Sequence, residues 1–400
     1  MKLKYFEKIS PEFFASLGIF FDLVTIEYFA SPIYTLLQYI AIVPAFLYCI
    51  IYIKKIRNSQ WLILVMVSFI SFWIMLSSFF NEVETYYLRA SIYVGILYII
   101  LFIFCILLVK NKKFEIVGLA GKCFLIPVVF INDLLMIILP NSFYNISGRD
   151  IGTCLIGNKF SVAYAHLMLF FLQVYFEKDS KKRSKKIILY TFVMSVLCIY
   201  IECVTVLLAT WLFLLLYFIT PFFRKILSNT IVFIGCFFIS AYLLIWLKGI
   251  LSLDFVQYFI VNILHRDVTL TGRLEIYPYI FHALSSHQVF GYGYGTSIIK
   301  DLSVWFANTQ NAFWDFVIRY GFITMITLLC LLFFIIWQYH KIQIKIGYDV
   351  RLWLNLSIIY VYIFIGIAEI VYNKHFFFYI ALLNAYTLNY TQQGRQIQNE

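Results

Sequence analysis

SIYVGILYIILFIFCILLVKNKK, residues 91–113, runs through nineteen uncharged positions and then places three lysines within four residues. As a helix rising 1.5 Å per residue, the uncharged part covers about 28 Å, close to the hydrocarbon thickness of a bilayer, and the lysines mark where it meets water. This pattern recurs along the whole chain. Of its 400 residues, 63% are hydrophobic, 20% aromatic and only 13% charged, with a mean hydropathy of +0.87. A water-soluble globule of that composition is excluded, and the fold class expected is all-α, a polytopic integral membrane protein.

About twelve apolar runs emerge, at 12–30, 33–53, 61–80, 91–109, 114–139, 160–176, 187–202, 204–220, 230–251, 311–337, 352–371 and 376–390. The stretch 187–220 is too long for one helix, and Glu202 in its middle predicts a tight turn. Three parts follow. Residues 1–251 hold nine spans and an external loop at 140–159. Residues 252–310 form one large extracytoplasmic loop, and 311–400 hold three spans and a tail. Inside the large loop, Leu274, Tyr277, Phe281 and Leu284 recur at helical spacing with Pro278 at the start, which predicts a short interfacial helix, and 254–264 is a second such candidate.

The net charge of +11 is unevenly distributed. Lys54, Lys55, Arg57, the lysines at 110–113, the run 178–186, Arg224, Lys225, Lys341, Lys345 and Arg351 all fall in alternate loops. The positive-inside rule puts those loops, and both termini, in the cytoplasm of a cell-membrane protein. The charge therefore reflects topology and gives no reason to expect a nucleic-acid partner. The basic start MKLKYFEKIS lacks a small-residue cleavage site, so no cleaved signal peptide is expected. No cytoplasmic loop exceeds about fifteen residues, too few for a nucleotide-binding domain, so ATP-driven chemistry is not expected. Of the eight cysteines, only Cys154 lies clearly in a loop, which leaves no disulfide framework and no zinc pattern.

Ionisable residues within spans are costly and point to function. Glu27, Asp133, His166, Glu202, Asp315, Arg319 and Glu369 all map to the outer halves of their runs, which predicts a polar cavity opening outward. Arg149, Lys159, Arg266 and Arg273 sit externally against the charge bias. Guanidinium forks suit phosphate oxygens, although single external cations are also ordinary solvation, the reading kept for Lys159 and Arg266. His265, His282 and His287 are candidate proton acceptors only where geometry supports them. Glu82 and Glu84 form an acidic pair with too few oxygens for a metal site, so no metal and no cofactor are expected. The strip HQVFGYGYGTS (287–297) lacks the strand–helix context of GxGxxG and the Gly-Lys-Ser/Thr ending of a phosphate loop; its glycines let the backbone approach something closely.

The order TGR (271–273), SSHQVFGYGYGT (285–296) and NTQNAFWDFVIRYGFI (308–323) resembles the signature region of Wzy-type O-antigen and capsular polysaccharide polymerases and the related O-antigen ligases. Arg273, Gly291, Gly293, Asn311 and Gly321 match that pattern, and in SGRDIGTCLIGNKFSVAYAH (147–166) Arg149, Gly157 and Asn158 match the family's other external element. Two positions depart from it. Gln310 stands where the family has histidine, and glutamine cannot accept a proton at neutral pH; Gln288 replaces a proline.

The resemblance implies a glycosyltransferase that moves a growing glycan from undecaprenyl pyrophosphate onto a sugar hydroxyl of the next lipid-linked repeat unit. Its surroundings would be membrane lipid, with flippase and chain-length regulator proteins as partners. Arg149 and Arg273 would neutralise the departing pyrophosphate, and His287, or else Glu275, would take the acceptor proton. Gln310 and Asn311 would orient sugar hydroxyls, while Gly291, Gly293, Tyr292, Tyr294 and Trp305 line the glycan path. The alternatives are a ligase using another acceptor, a transporter of lipid-linked oligosaccharide, or a catalytically idle partner of a polysaccharide complex.

Overall fold

The structure, a computed structural model, describes residues 10–56, 58–139, 154–251, 253–258, 262, 275–303, 306 and 308–396. Helices and short turns make up all of it, with no strand among the described residues. Backbone amides and carbonyls that face lipid have no water to bond, so an apolar chain satisfies them inside helices.

The helices are α1 (Pro11–Leu23), α2 (Pro32–Tyr52), α3 (Asn58–Phe80), α4 (Thr85–Lys110), α5 (Glu115–Ile138), α6 (Lys159–Tyr175), α7 (Ser180–Tyr200), α8 (Val204–Phe218), α9 (Pro221–Leu227), α10 (Thr230–Leu251), α11 (Asp254–Tyr258), α12 (Tyr277–Leu284), α13 (Ile298–Leu302), α14 (Ala312–Ile346), α15 (Val350–Ile365) and α16 (Lys374–Gln396). Each of the twelve apolar runs falls on one of them. By length and composition α2 to α5 and α14 can each cross a bilayer; α8 with α9, bent by 117°, passes the same test as a pair.

Local chemistry sets the boundaries. Ser31, Asn158, Asp179, Asn311 and Asp349 cap α2, α6, α7, α14 and α15 by accepting from first-turn N–H groups. Glu202 turns the chain between α7 and α8 with φ 54°, as its position predicts. The first run is shorter than the sequence implies: α1 stops at Leu23, Val24 is extended, and Glu27–Phe29 is a separate 3-10 turn. Beyond Leu23 the backbone bonds outside the helix, Ile26 N donating to the Tyr34 hydroxyl and Glu27 N to Ile156 O. The helix expected near Pro278 is α12, and in the 254–264 candidate the described residues 254–258 form α11.

Helices α4, α6, α15 and the first half of α16 form the core, whereas α2 and α7 leave apolar side chains such as Ile33, Ile51, Phe192 and Ile199 on the surface, as lipid-facing helices do. Contacts gather the connections at two ends. At one end Lys113 pairs with Glu12 at 2.6 Å, Lys178 with Glu115 at 2.7 Å, and Lys55 donates to Asn111 at 3.0 Å. At the other, Glu27 and Tyr28 donate backbone bonds to Ile156 and Leu155, and Asn81 donates to Gly291.

Candidate functional site

Helix α14 is broken at Gly321, whose φ of 77° and ψ of 171° are non-helical. Such a break frees backbone groups that cannot be left unbonded in an apolar surround. The glycine strip takes them up. Tyr292 N donates to Ile318 O and Gly293 N to Arg319 O, each at 2.8 Å, and Phe322 N donates to Gln288 O at 2.8 Å. The Ser77 hydroxyl, on α3, lies 2.9 Å from Arg319 O and also within reach of Phe290 O. Asn81 Nδ2 donates to Gly291 O at 2.9 Å and Tyr294 N donates to Ser78 Oγ at 3.0 Å. Trp73 stacks on Phe290 with ring centroids 4.9 Å apart.

Glycine is required by this contact. A Cβ on Gly321 would lie 1.9 Å from Val289 O, and one on Gly291 would lie 2.5 Å from Ile318 O, both positions having positive φ. What the strip approaches closely is thus the broken backbone of α14.

The break follows directly on Arg319 and Tyr320, which line a cavity of about 380 Å³. Its walls come from α1, α2, α4, α14 and the start of α16, at the end of the bundle that carries the glycine strip. Two ion pairs line it. On α14, Arg319 Nε is 2.8 Å from Asp315 Oδ2, one helical turn away, and Thr309 Oγ1 is 3.4 Å from Asp315 Oδ1. On α1 and α16, Lys374 Nζ is 3.6 Å from Asp22 Oδ2 and also donates to the Asp22 carbonyl oxygen. Tyr93 OH donates to Asp22 Oδ1 at 2.7 Å, while Asp22 Oδ2 has no hydrogen-bond partner and Asp22 is only 1% exposed. Each carboxyl thus faces a basic partner, the arrangement that offsets the cost of burying such groups in a low-dielectric position.

Eight tyrosines share the lining: Tyr34, Tyr39, Tyr86, Tyr93, Tyr98, Tyr294, Tyr320 and Tyr372. Aromatic faces with hydroxyl edges suit sugar rings, which are apolar on their C–H faces and polar at their rims. Burial pushes the Tyr294 phenol above its usual value, with Arg319 partly opposing, so at neutral pH it is a neutral donor and acceptor.

Of the described residues to which the polymerase resemblance gives a role, Tyr294 alone lines this cavity. Gly291 and Gly293 are buried against α14 and α3. The Tyr292 hydroxyl donates a hydrogen bond to Ala283 O at 2.8 Å, and its ring stacks on His287, whose Nδ1 is 2.8 Å from Ser286 Oγ. Glu275 is exposed ahead of α12. Asn311 is fully buried; besides capping α14, its Nδ2 donates to Ser240 O and Ile367 O at 3.1 Å. Gln310 is half-buried beside it with φ 48°. Arg149, Arg273, Arg266, His265 and Trp305 lie outside the described residues.

The seven intramembrane ionisable residues do not converge on one site. Asp315 and Arg319 line the cavity, His166 Nε2 faces Asp133 Oδ2 at 3.0 Å, Glu27 accepts from Ser161 at 2.8 Å, Glu369 from Thr205 at 3.4 Å, and Glu202 is on its turn. Sequence reasoning missed Asp22 and Lys374. Asp22 carries the same signal as Asp315, a carboxylate inside an apolar run, while Lys374 sits in a connection and carries none.

No protein-family model, curated protein or solved structure matches the chain.

Proposed function

We propose that the chain is a membrane-embedded glycan polymerase that crosses the cytoplasmic membrane twelve times and elongates a lipid-linked glycan on the outer face. The observation that carries this reading is the tyrosine-lined cavity with the ion pairs Arg319–Asp315 and Lys374–Asp22, set against the strip in which the polymerase-like motif lies. Its size suits a few sugar rings, and its mouth lies at the bundle end away from the lysine-rich turns, the end that the positive-inside rule makes external.

In the reaction, a hydroxyl oxygen of the acceptor repeat attacks the anomeric carbon of the donor glycan. The bond from that carbon to the pyrophosphate oxygen breaks, and undecaprenyl pyrophosphate leaves with the electron pair. Arg149 and Arg273, from the two external segments, are assigned the growing negative charge on the pyrophosphate. The hydroxyl proton needs an acceptor. Asp22 lines the cavity with a carboxylate oxygen that is ion-paired with Lys374 but accepts no hydrogen bond, a better-supported position than that of His287, which is stacked on Tyr292. Cleavage of the bond between the sugar and the pyrophosphate supplies the driving force, so no nucleotide is consumed.

The test is reconstitution of the purified chain with an undecaprenyl-pyrophosphate oligosaccharide. A ladder of longer lipid-linked products supports the proposal; an unchanged substrate, with folded protein present, removes it. A second reading, transport of lipid-linked oligosaccharide, is favoured by the break in α14, because discontinuous helices beside ionised residues are how many transporters build their sites. Movement of a labelled lipid-linked oligosaccharide between leaflets, with no new glycosidic bond, would select it.

A further inference from the structure

At the opposite end of the bundle from the cavity, the elbow between α8 and α9 and the last turns of α14 enclose a groove of about 930 Å³. Helix α9 is short, bent 117° away from α8, and carries Phe222 and Phe223 exposed beside Arg224 and Lys225. That is the arrangement of a segment lying along a membrane surface, apolar side to the acyl chains and basic side to the headgroups.

Three observations point to an occupant. Arg224, Lys225 and His340 face the groove, and none of the described residues lining it is acidic. Two donors in its wall are shielded from solvent and without a hydrogen-bond partner: Arg224 Nε and Gln343 Nε2. Arg224 is held in place independently, since its Nη2 donates to Tyr217 O at 3.0 Å and its guanidinium lies 4.5 Å above the Tyr348 ring. Finally, the rim is apolar and lipid-facing, with Phe222 68% and Ile344 71% exposed. Unpaired buried donors are costly, and a phosphate oxygen is the acceptor a guanidinium recognises best. A free anion would leave the apolar rim unused, whereas an amphiphile uses both.

We infer that this groove binds an anionic phospholipid, its phosphate seated among Arg224, Lys225 and Gln343 and its acyl chains lying along Phe222 and Ile344. The site is independent of the glycan cavity and would hold the α8–α9 elbow at the membrane surface on the lysine-rich side of the protein.

The experiment uses the full chain in nanodiscs of phosphatidylcholine alone and of phosphatidylcholine with a minority of phosphatidylglycerol, with lipid retained after extraction counted by native mass spectrometry. The wild type is expected to retain phosphatidylglycerol selectively. Lys225→Gln, at an exposed position, is expected to weaken that retention about fivefold, the usual effect of one basic side chain near an anionic lipid. Gln343→Leu removes an unpaired donor, so it should lose retention with its thermal midpoint unchanged or raised. Equal retention of phosphatidylcholine, unchanged retention in either variant, or displacement of the lipid by inorganic phosphate alone would each overturn the assignment.

Discussion

Gly293 N donates to Arg319 O over 2.8 Å, tying a loop glycine to the backbone of the residue whose side chain pairs with Asp315 in the cavity wall. The bond links the strip and the cavity physically. Arg319 can present its guanidinium to the cavity while its own carbonyl, released from the helical ladder by the Gly321 break, is satisfied from behind. Residues 287–294 therefore act on the site through α14 rather than by lining it, with Tyr294 the exception.

Gly321→Ala tests this coupling. The new Cβ would sit 1.9 Å from Val289 O on a backbone with φ 77°, and neither the strip nor α14 can move without losing the bonds just described. The positive φ alone costs about 1–3 kcal/mol, and the displaced hydrogen bonds add to it. Gly235→Ala is the contrast: nothing lies within 4 Å of its Cβ, and alanine favours the helix by up to about 1 kcal/mol. Thermal midpoints in detergent should fall for the first and hold or rise for the second; equal midpoints would refute the strip's structural role.

The helices were legible because lipid leaves an apolar chain no alternative to helix, so run length and flanking charge alone place α2, α3, α5, α6 and α10 to within a few residues, while α4 starts six residues before its apolar run. The end of α1 was not, since Val24 to Ile26 hold no glycine or proline and the groups that take up the backbone there, Tyr34 OH and Ile156 O, come from elsewhere in the chain. The partners of the glycine strip were invisible for a different reason. Gly293 and Arg319 are close in sequence, but their bond also depends on Ser77 and Ser78 of α3, more than two hundred residues away. Lys374 and Asp22 are farther apart still, and nothing in a lysine within a connection shows that it turns back onto the first helix.

Asn311→Ala distinguishes a scaffold from a sugar contact. Its side chain accepts from Trp314 N and donates to Ser240 O and Ile367 O with no solvent exposure, so alanine removes a cap and leaves two carbonyls short of a donor. A loss of about 2–4 kcal/mol is expected. In whatever protein remains folded, the KM for a lipid-linked oligosaccharide should be unchanged. A raised KM with an unaltered thermal midpoint would instead make Asn311 a substrate ligand.

Replacing Tyr294 by phenylalanine should separate binding from folding. Its phenol lines the cavity, while the strip is held there through Tyr294 N, which donates to Ser78 Oγ and is untouched by the change. Stability should stay within about 1 kcal/mol, as for loss of one hydroxyl hydrogen bond, and elongation should slow through a higher KM. Unaltered kinetics would place the glycan elsewhere.

The Lys374–Asp22 pair gives the sharpest test, because a structural and a chemical role predict different patterns. Lys374→Ala leaves the Asp22 carboxylate buried with only Tyr93 beside it, and breaking such a pair from one side costs about 3–5 kcal/mol. Adding Asp22→Asn removes the stranded charge, so the double variant should recover most of that loss. Asp22→Asn alone keeps the shape and the Tyr93 hydrogen bond while abolishing proton acceptance. It should fold, bind a lipid-linked oligosaccharide with KM little changed, and fail to extend it, whereas a purely structural Asp22 would leave kcat intact in every variant that folds. A fully active Asp22→Asn protein would return the search for the proton acceptor to His287 and Glu275.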